Sequence, residues 1–145
     1  MTRRESREQA FILVFEKIFN AELSFEEIAE AALAADSHRP DAFAAELAEK
    51  VYENLEEIDA VIASNSRGWK LERLSRVALA ILRLAICEIK FYDDIPVSVS
   101  INEAVELTKI YGTDDSPGFV NGVLGRVAAK IEKENKALVR KPDEN

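Results

Sequence analysis

The chain has 145 residues, of which 48% are hydrophobic and 32% are charged, and its formal net charge is −8. This length indicates one domain with a sizeable core, and the composition excludes an intrinsically disordered chain. The negative charge excludes nucleic-acid binding by bulk electrostatics, so any such binding must use a local basic patch.

The chemistry-bearing residues are few, because the chain has one cysteine, Cys87, and one histidine, His38. A single cysteine excludes an intrachain disulfide and a cysteine-based zinc site, and a single histidine argues against a metal site or a catalytic triad. We expect Cys87 to be a buried core thiol. No signal peptide or membrane span is visible, which predicts a cytoplasmic protein without membrane contact. We expect no metal and no other cofactor.

Glycine and proline are scarce and fall mostly at boundaries, which predicts an all-α domain. The first helix covers about residues 3–20, and its apolar run from Ala10 to Phe15 exceeds one buried stripe. This helix therefore either packs on several sides or offers an apolar surface to a partner. Ser24 and Glu27 form a capping box that opens a short helix to about residue 35. From residue 41, one long amphipathic helix runs to a cap near Gly68.

The segment 71–92 predicts the central helix, since Arg83 is the only charged residue between Val77 and Cys87. A buried guanidinium needs a carboxylate partner, for which Glu88, Glu103 and Glu106 are the candidates. The next helix covers about residues 97–111 and ends at a glycine.

The last helix begins with Ser116 as its N-cap and Pro117 as its first helical residue. Gly122 and Gly125 follow, although an interior glycine costs a helix about 1 kcal/mol relative to alanine. Their simplest interpretation is close helix–helix packing. We predict a bundle of six or seven helices in one domain of residues 1–137, followed by a flexible tail at 138–145.

No active site is apparent, because the paired carboxylates come with no nucleophile, histidine base or metal-ligand spacing. The N-terminus is more informative. Arg3, Arg4 and Arg7 precede the apolar run, and aromatic rings continue the four-residue spacing. Cations followed by aromatic faces suit single-stranded RNA. From the residues alone, solvated arginines at a helix start remain the alternative. Asp115 likewise either caps the last helix or accepts hydrogen bonds from RNA.

Three stretches resemble the family of the bacterial transcription antitermination factor NusB. They are DDIPVSVSINEAVELTKIYGTDDSPGFVNGVLGRV in the C-terminal half, AILRLAICEIKF in the central helix and RRESREQAF at the N-terminus. Residues 21–70 match only in their helical pattern. The resemblance implies two linked three-helix bundles in a protein that is not an enzyme.

The resemblance also implies partners and a site. The protein would bind the boxA element of ribosomal RNA transcripts, pair with the small-subunit ribosomal protein NusE and act on RNA polymerase to suppress termination. A homodimer is left open as a further partner. The implied RNA-binding positions are Arg3, Arg4, Arg7, Phe15, Asp115, Ser116 and Phe119.

Four positions depart from the family pattern. Phe15 stands where tyrosine is common, so the ring for stacking remains while the phenol hydrogen bond is lost. Gly118 stands where a basic residue is frequent, which predicts a weaker phosphate contact. Cys87 replaces a frequent tyrosine. Ala78 replaces a frequent acidic residue on the helix that faces the ribosomal protein, which puts one charged partner contact in doubt.

Two other functions compete with this interpretation. A similar helical domain resembles the N-terminal part of ribosomal RNA cytosine methyltransferases, where it would be a regulatory module. Against this, 145 residues leave no room for a catalytic domain. The other alternative is a helical protein–protein scaffold, which would not distinguish boxA from a scrambled RNA.

Overall fold

The structure, a computed structural model, describes residues 2–36 and 40–143, without the side chains of residues 36 and 135–143. His38 lies outside the described residues. Within these ranges the chain forms seven α-helices and no strand. The helices are α1 (Arg3–Phe19), α2 (Phe25–Asp36), α3 (Ala42–Glu53), α4 (Leu55–Ser64), α5 (Arg76–Phe91), α6 (Val97–Tyr111) and α7 (Ser116–Asp143), and a 3-10 turn (Leu71–Arg73) precedes α5.

Local capping chemistry explains where the first helices begin. Thr2 and Glu5 form a capping box at α1. The predicted box before α2 is confirmed, because the Glu27 backbone N–H donates to Ser24 Oγ at 3.1 Å and the Ser24 N–H donates to the Glu27 carboxylate at 3.1 Å. Asp41 caps α3 by accepting from the Ala44 N–H at 2.8 Å.

The single long helix predicted from residue 41 to Gly68 is wrong, because the chain breaks at Asn54 into α3 and α4. Asn54 leaves the helical conformation, with φ −121° and ψ 22°. Its side-chain amide donates to the Lys50 carbonyl at 2.7 Å, which competes with continuation of the helix. The apolar spacing continues across the break, so periodicity does not reveal it. Asn65 ends α4, and Gly68, with φ +88°, lies in the following turn.

The central position predicted for the helix of segment 71–92 is confirmed for α5, although this helix begins at Arg76. α1, α2 and α3 pack together, α5, α6 and α7 pack together, and α5 also contacts α1, α3 and α4. Every residue of α5 from Ala78 to Ile89 is buried except Arg83, which is partly buried. Cys87 is fully buried, as expected. The two three-helix bundles are thus joined through a shared apolar helix.

Arg83 has a carboxylate partner, but none of the three predicted. It donates two hydrogen bonds of 2.8 Å to Asp59 on α4. Glu88 and Glu103 are instead held by arginines of α1. Asp59 was missed because only the packing of α4 on α5 brings it to this face.

The packing explanation for Gly122 and Gly125 is wrong. A Cβ at Gly125 would meet nothing within 4 Å, and a Cβ at Gly122 would meet only the Arg126 side chain at 3.4 Å. Nothing in the described part of the chain requires glycine at either position. The fold instead requires glycine at Gly112, where a Cβ would lie 2.7 Å from Ser116 Oγ, and favours it at Gly68, where φ is +88°.

α7 begins at Ser116, one residue earlier than the capping pattern predicted, and its backbone continues to Asp143. It therefore includes part of the segment 138–145, for which flexibility stays a prediction. None of the helices in the described ranges combines the length and apolar character that a membrane span requires.

Candidate nucleic-acid interface

A cleft of about 360 Å³ opens where the start of α7 lies beside the segment that precedes α5. Asp115, Ser116 and Phe119 line it together with Trp69 and Arg73. The remaining lining residues are Leu74, Ser75, Ala78 and Thr113. The structure thus brings together the three predicted site residues of the C-terminal half and adds an indole and a guanidinium to them.

The turn before α7 sets which groups this cleft offers. Ser116 is buried, and its hydroxyl accepts a hydrogen bond from the Thr113 backbone N–H at 3.1 Å, so this hydroxyl mainly holds the turn. Asp115 is exposed, while Phe119 is half-buried. The cleft therefore presents a solvated carboxylate beside an aromatic ring that is anchored in the fold.

Arg73, the cation that lines the cleft, belongs to residues 67–76, which we name the basic segment. Its four cations, Arg67, Lys70, Arg73 and Arg76, are all exposed, and Trp69 is 58% exposed. None of the four forms an ion pair within the described part of the chain. The exposed indole of Trp69 can stack on a base, and the neighbouring cations, which form no ion pair in the described part of the chain, can bind phosphates.

Sequence reasoning missed the basic segment, although a signal was present. The segment has the sequence RGWKLERLSR, in which four cations recur every third residue around the chain's only tryptophan, with one acidic residue among them. This local excess of positive charge contrasts with the net charge of −8. The expectation of a helix from residue 71 obscured it. The 3-10 turn and the loops on either side are what expose these side chains.

The N-terminal arginines lie elsewhere, and each has an intramolecular partner. The Arg3 guanidinium lies 3.8 Å from the centroid of the Phe43 ring. Arg4 donates to Glu103 at 3.0 and 3.1 Å, and the hydrogen bond and charge of that carboxylate raise the pKa of Arg4. Both arginines are exposed, so both retain access to a ligand.

Arg7 differs from the other two because its side chain is only 6% exposed. Its Nε and Nη2 donate to the Glu88 carboxylate at 3.0 and 2.7 Å. A phosphate contact through Nε or Nη2 of Arg7 would require this buried pair to break, and only Nη1 is left outside it. That Arg7 contacts RNA stays a prediction, for which its low exposure leaves little room.

The predicted residues form a track and not one cluster. Arg7 lies beside Glu88 and Phe19 lies beside Arg76, so α1 runs antiparallel to α5. The arginines are at one end of α1, and the cleft is near the other, about 15 Å away along α5 at 1.5 Å per residue. Phe15 lies between them, half-buried, with its ring centroid 5.2 Å from that of Phe19.

The side chains of this surface are of the kinds that recognise a ligand. Among residues 2–36 and 40–143, no three His, Cys, Asp or Glu side chains are grouped as metal ligands would be. Exposed rings, free cations and one solvated carboxylate suit bases, phosphates and exocyclic amino groups.

Comparison with known proteins places the chain in a family. The sequence model of the NusB family matches residues 4–129. The transcription antitermination protein NusB of Natranaerobius thermophilus is 43% identical over 137 residues, which cover 92% of this chain and 99% of that protein.

Solved structures agree with this match. T. maritima NusB superposes with a TM-score of 0.77 at 40% identity and covers 89% of this chain and 92% of its own. A chain of the crystal structure of the antitermination factors NusB and NusE in complex with dsRNA has a TM-score of 0.75 at 24% identity, covering 88% of this chain and 97% of that one, and shows the shared fold. The chain belongs to the NusB family.

Proposed function

We propose that this protein is a cytoplasmic, RNA-binding antitermination factor that recognises boxA RNA of ribosomal RNA transcripts together with NusE and acts on RNA polymerase. The observation that carries the proposal is the cleft in which Asp115 and Phe119 face the basic segment. Family membership supports the biological role. The local geometry supports RNA as the ligand.

The cleft offers the contacts that single-stranded RNA needs. Trp69 and Phe119 supply rings on which bases stack, and the neighbouring Arg73 supplies a cation for a phosphate. Asp115 accepts hydrogen bonds from an exocyclic amino group or a ribose hydroxyl. Arg3 and Arg4 add a second cationic point at the other end of α1, so the transcript would follow α1 between the two.

Assembly with a partner compensates for the weakness of this surface. The net charge of −8 repels RNA outside the local patches. Three phosphate contacts to a single strand give a salt slope of only about −2. A basic ribosomal protein such as NusE would mask acidic surface and extend the RNA track. Ala78, buried at the cleft, cannot supply the acidic contact that relatives frequently have on this helix.

The decisive experiment is a titration of fluorescent boxA RNA by anisotropy, with and without NusE, at two salt concentrations. We expect weak binding by the isolated protein, preference for boxA over a scrambled RNA of equal length, and a sharp gain with NusE. Equal affinity with and without NusE would contradict the cooperative assembly. Equal affinity for boxA and scrambled RNA would favour the helical scaffold.

A further inference from the structure

Three buried polar side chains from three helices meet at the N-terminal end of α1. Arg7 of α1 donates to both carboxylate oxygens of Glu88 on α5, and Ser100 of α6 donates to Glu88 Oε1 at 2.8 Å. Glu88 and Ser100 are each 2% exposed. One carboxylate therefore ties α1 and α6 to the central helix.

This cluster neutralises its own charge. The two N–H groups that Arg7 turns toward Glu88 form a planar, bidentate fork, which fixes direction as well as distance. Removal of one partner leaves a buried charge without compensation, which is far more costly than the loss of an exposed pair. The cluster therefore specifies the rotation and the depth of α1 against α5 and α6.

The rotation of α1 decides where the two exposed arginines point. Arg3, one turn before Arg7, lies on the α3 side above the Phe43 ring. Arg4 lies on the α6 side beside Glu103. A small turn of α1 about its axis would move both guanidinium groups away from the path along α1.

We propose that Arg7 is a positioning residue, which holds α1 through Glu88 and Ser100 so that Arg3 and Arg4 face the transcript. It makes no contact with RNA itself. This inference rests on the proposed function.

The substitution Glu88→Gln distinguishes a phosphate contact by Arg7 from a positioning role, because the two predict opposite changes in RNA affinity. If Arg7 contacted phosphate, loss of the competing carboxylate would release it and strengthen RNA binding. If Arg7 positions α1, the same substitution loosens the helix and moves Arg3 and Arg4 away from the transcript, so we expect boxA affinity to fall about threefold to tenfold and the salt slope to become smaller. Stronger binding by this variant overturns the proposal.

Glu103→Gln is the matched control, since it removes one carboxylate from an arginine of the same helix at an exposed site. Its partner Arg4 is 59% exposed, so release of Arg4 should strengthen RNA binding. Opposite signs for the two Glu→Gln substitutions support positioning by Arg7. Stronger binding in both variants contradicts it.

A second variant covers the case in which Glu88→Gln does not fold. Arg7→Met, Glu88→Leu and Ser100→Ala together replace the cluster by apolar side chains and leave no buried polar group unpaired. Since well-packed apolar side chains should hold α1 in the same place, Arg3 and Arg4 should keep their contacts, and we expect this triple variant to keep the salt slope of the natural protein. A slope smaller by about 0.7, the value of one phosphate contact to a single strand, overturns the proposal.

Hydrogen exchange of α1 amides in the RNA-free protein tests the positioning role without RNA. Glu88→Gln should speed exchange in α1, whereas Glu103→Gln should not. If the natural protein bound no RNA, the proposed function would fail, and this measurement would still decide whether Arg7 positions α1. Unchanged exchange in Glu88→Gln overturns the positioning role.

Discussion

Trp69 and Asp115 line the same cleft, although the whole of α5 and α6 separates them in the chain. Their meeting couples an exposed indole, which is a stacking surface for any base, to a carboxylate that accepts hydrogen bonds from particular base edges. Affinity and base preference can therefore arise from different residues of one cleft.

Trp69→Ala should weaken boxA binding by about 1–3 kcal/mol, the range measured for loss of one base–aromatic stack. Since the side chain is 58% exposed, stability should hardly change. Trp69 is the only tryptophan, so quenching of its fluorescence by RNA would report the stack directly. Ile110→Ala, at an equally exposed apolar side chain, is the control. Full fluorescence at saturating RNA would contradict stacking on Trp69.

Arg73→Gln should reduce the salt slope of RNA binding by about 0.7, because one phosphate contact to a single strand is removed. Anisotropy titrations over a range of salt concentrations measure this slope. Lys133→Gln makes the same charge change on α7, about 21 Å along the helix from Phe119, and should leave the slope unchanged. Equal slopes for the Arg73 variant and the natural protein would remove Arg73 from the interface.

Gly118→Lys should strengthen RNA binding and steepen the salt slope by about 0.7, since it places a cation where the family resemblance implies a basic residue. A Cβ at this exposed position meets nothing within 4 Å, so the side chain fits. The gain of about 1 kcal/mol in helix propensity is partly offset by a cation near a helix N-terminus. Gly118→Ala separates the backbone effect from the charge. A gain equal in both variants would exclude phosphate contact.

Asp59→Ala should destabilise the protein by about 2–3 kcal/mol, because Arg83 would keep its charge without a partner in a largely buried place. Thermal unfolding monitored by circular dichroism gives the change. Glu57→Ala on the same helix removes the exposed pair with Lys90 and should cost less than about 1 kcal/mol. RNA affinity of the folded Asp59 variant should be unchanged, and a loss there would extend the interface to α4.

Cys87 should be inert to thiol reagents in the native protein. Burial raises the pKa of its thiol to about 12, so at pH 8 the group stays protonated and lacks the reactive thiolate. Absorbance with a disulfide reagent should show no reaction until denaturant is added, and then one thiol per chain. Rapid reaction of the folded protein would mean that α5 opens locally.

The N-terminal arginines and Asp115 show the limit of a linear motif. These residues led to the prediction of an RNA-binding protein. The family to which the chain belongs is established by comparison with known proteins. Their arrangement does not follow from the linear motif, because α1 runs antiparallel to α5 and carries the arginines away from the cleft. Arg7 is also held in a buried ion pair with Glu88, a partner that only helix packing brings within reach.

The sequence by itself determined the all-α class, the capping box at the start of α2, the buried course of α5 and the family. These properties depend on periodicity, local capping bonds and residue identity, all of which act over a few neighbouring residues. The break at Asn54 is made by a local bond to the Lys50 carbonyl, but the continuing apolar periodicity hides it in the sequence. Only the tertiary structure decided the pairing of Arg83 with Asp59 and the meeting of the basic segment with the α7 turn. Each of these depends on contacts between side chains distant in the chain, which are set by how helices pack and not by any local pattern.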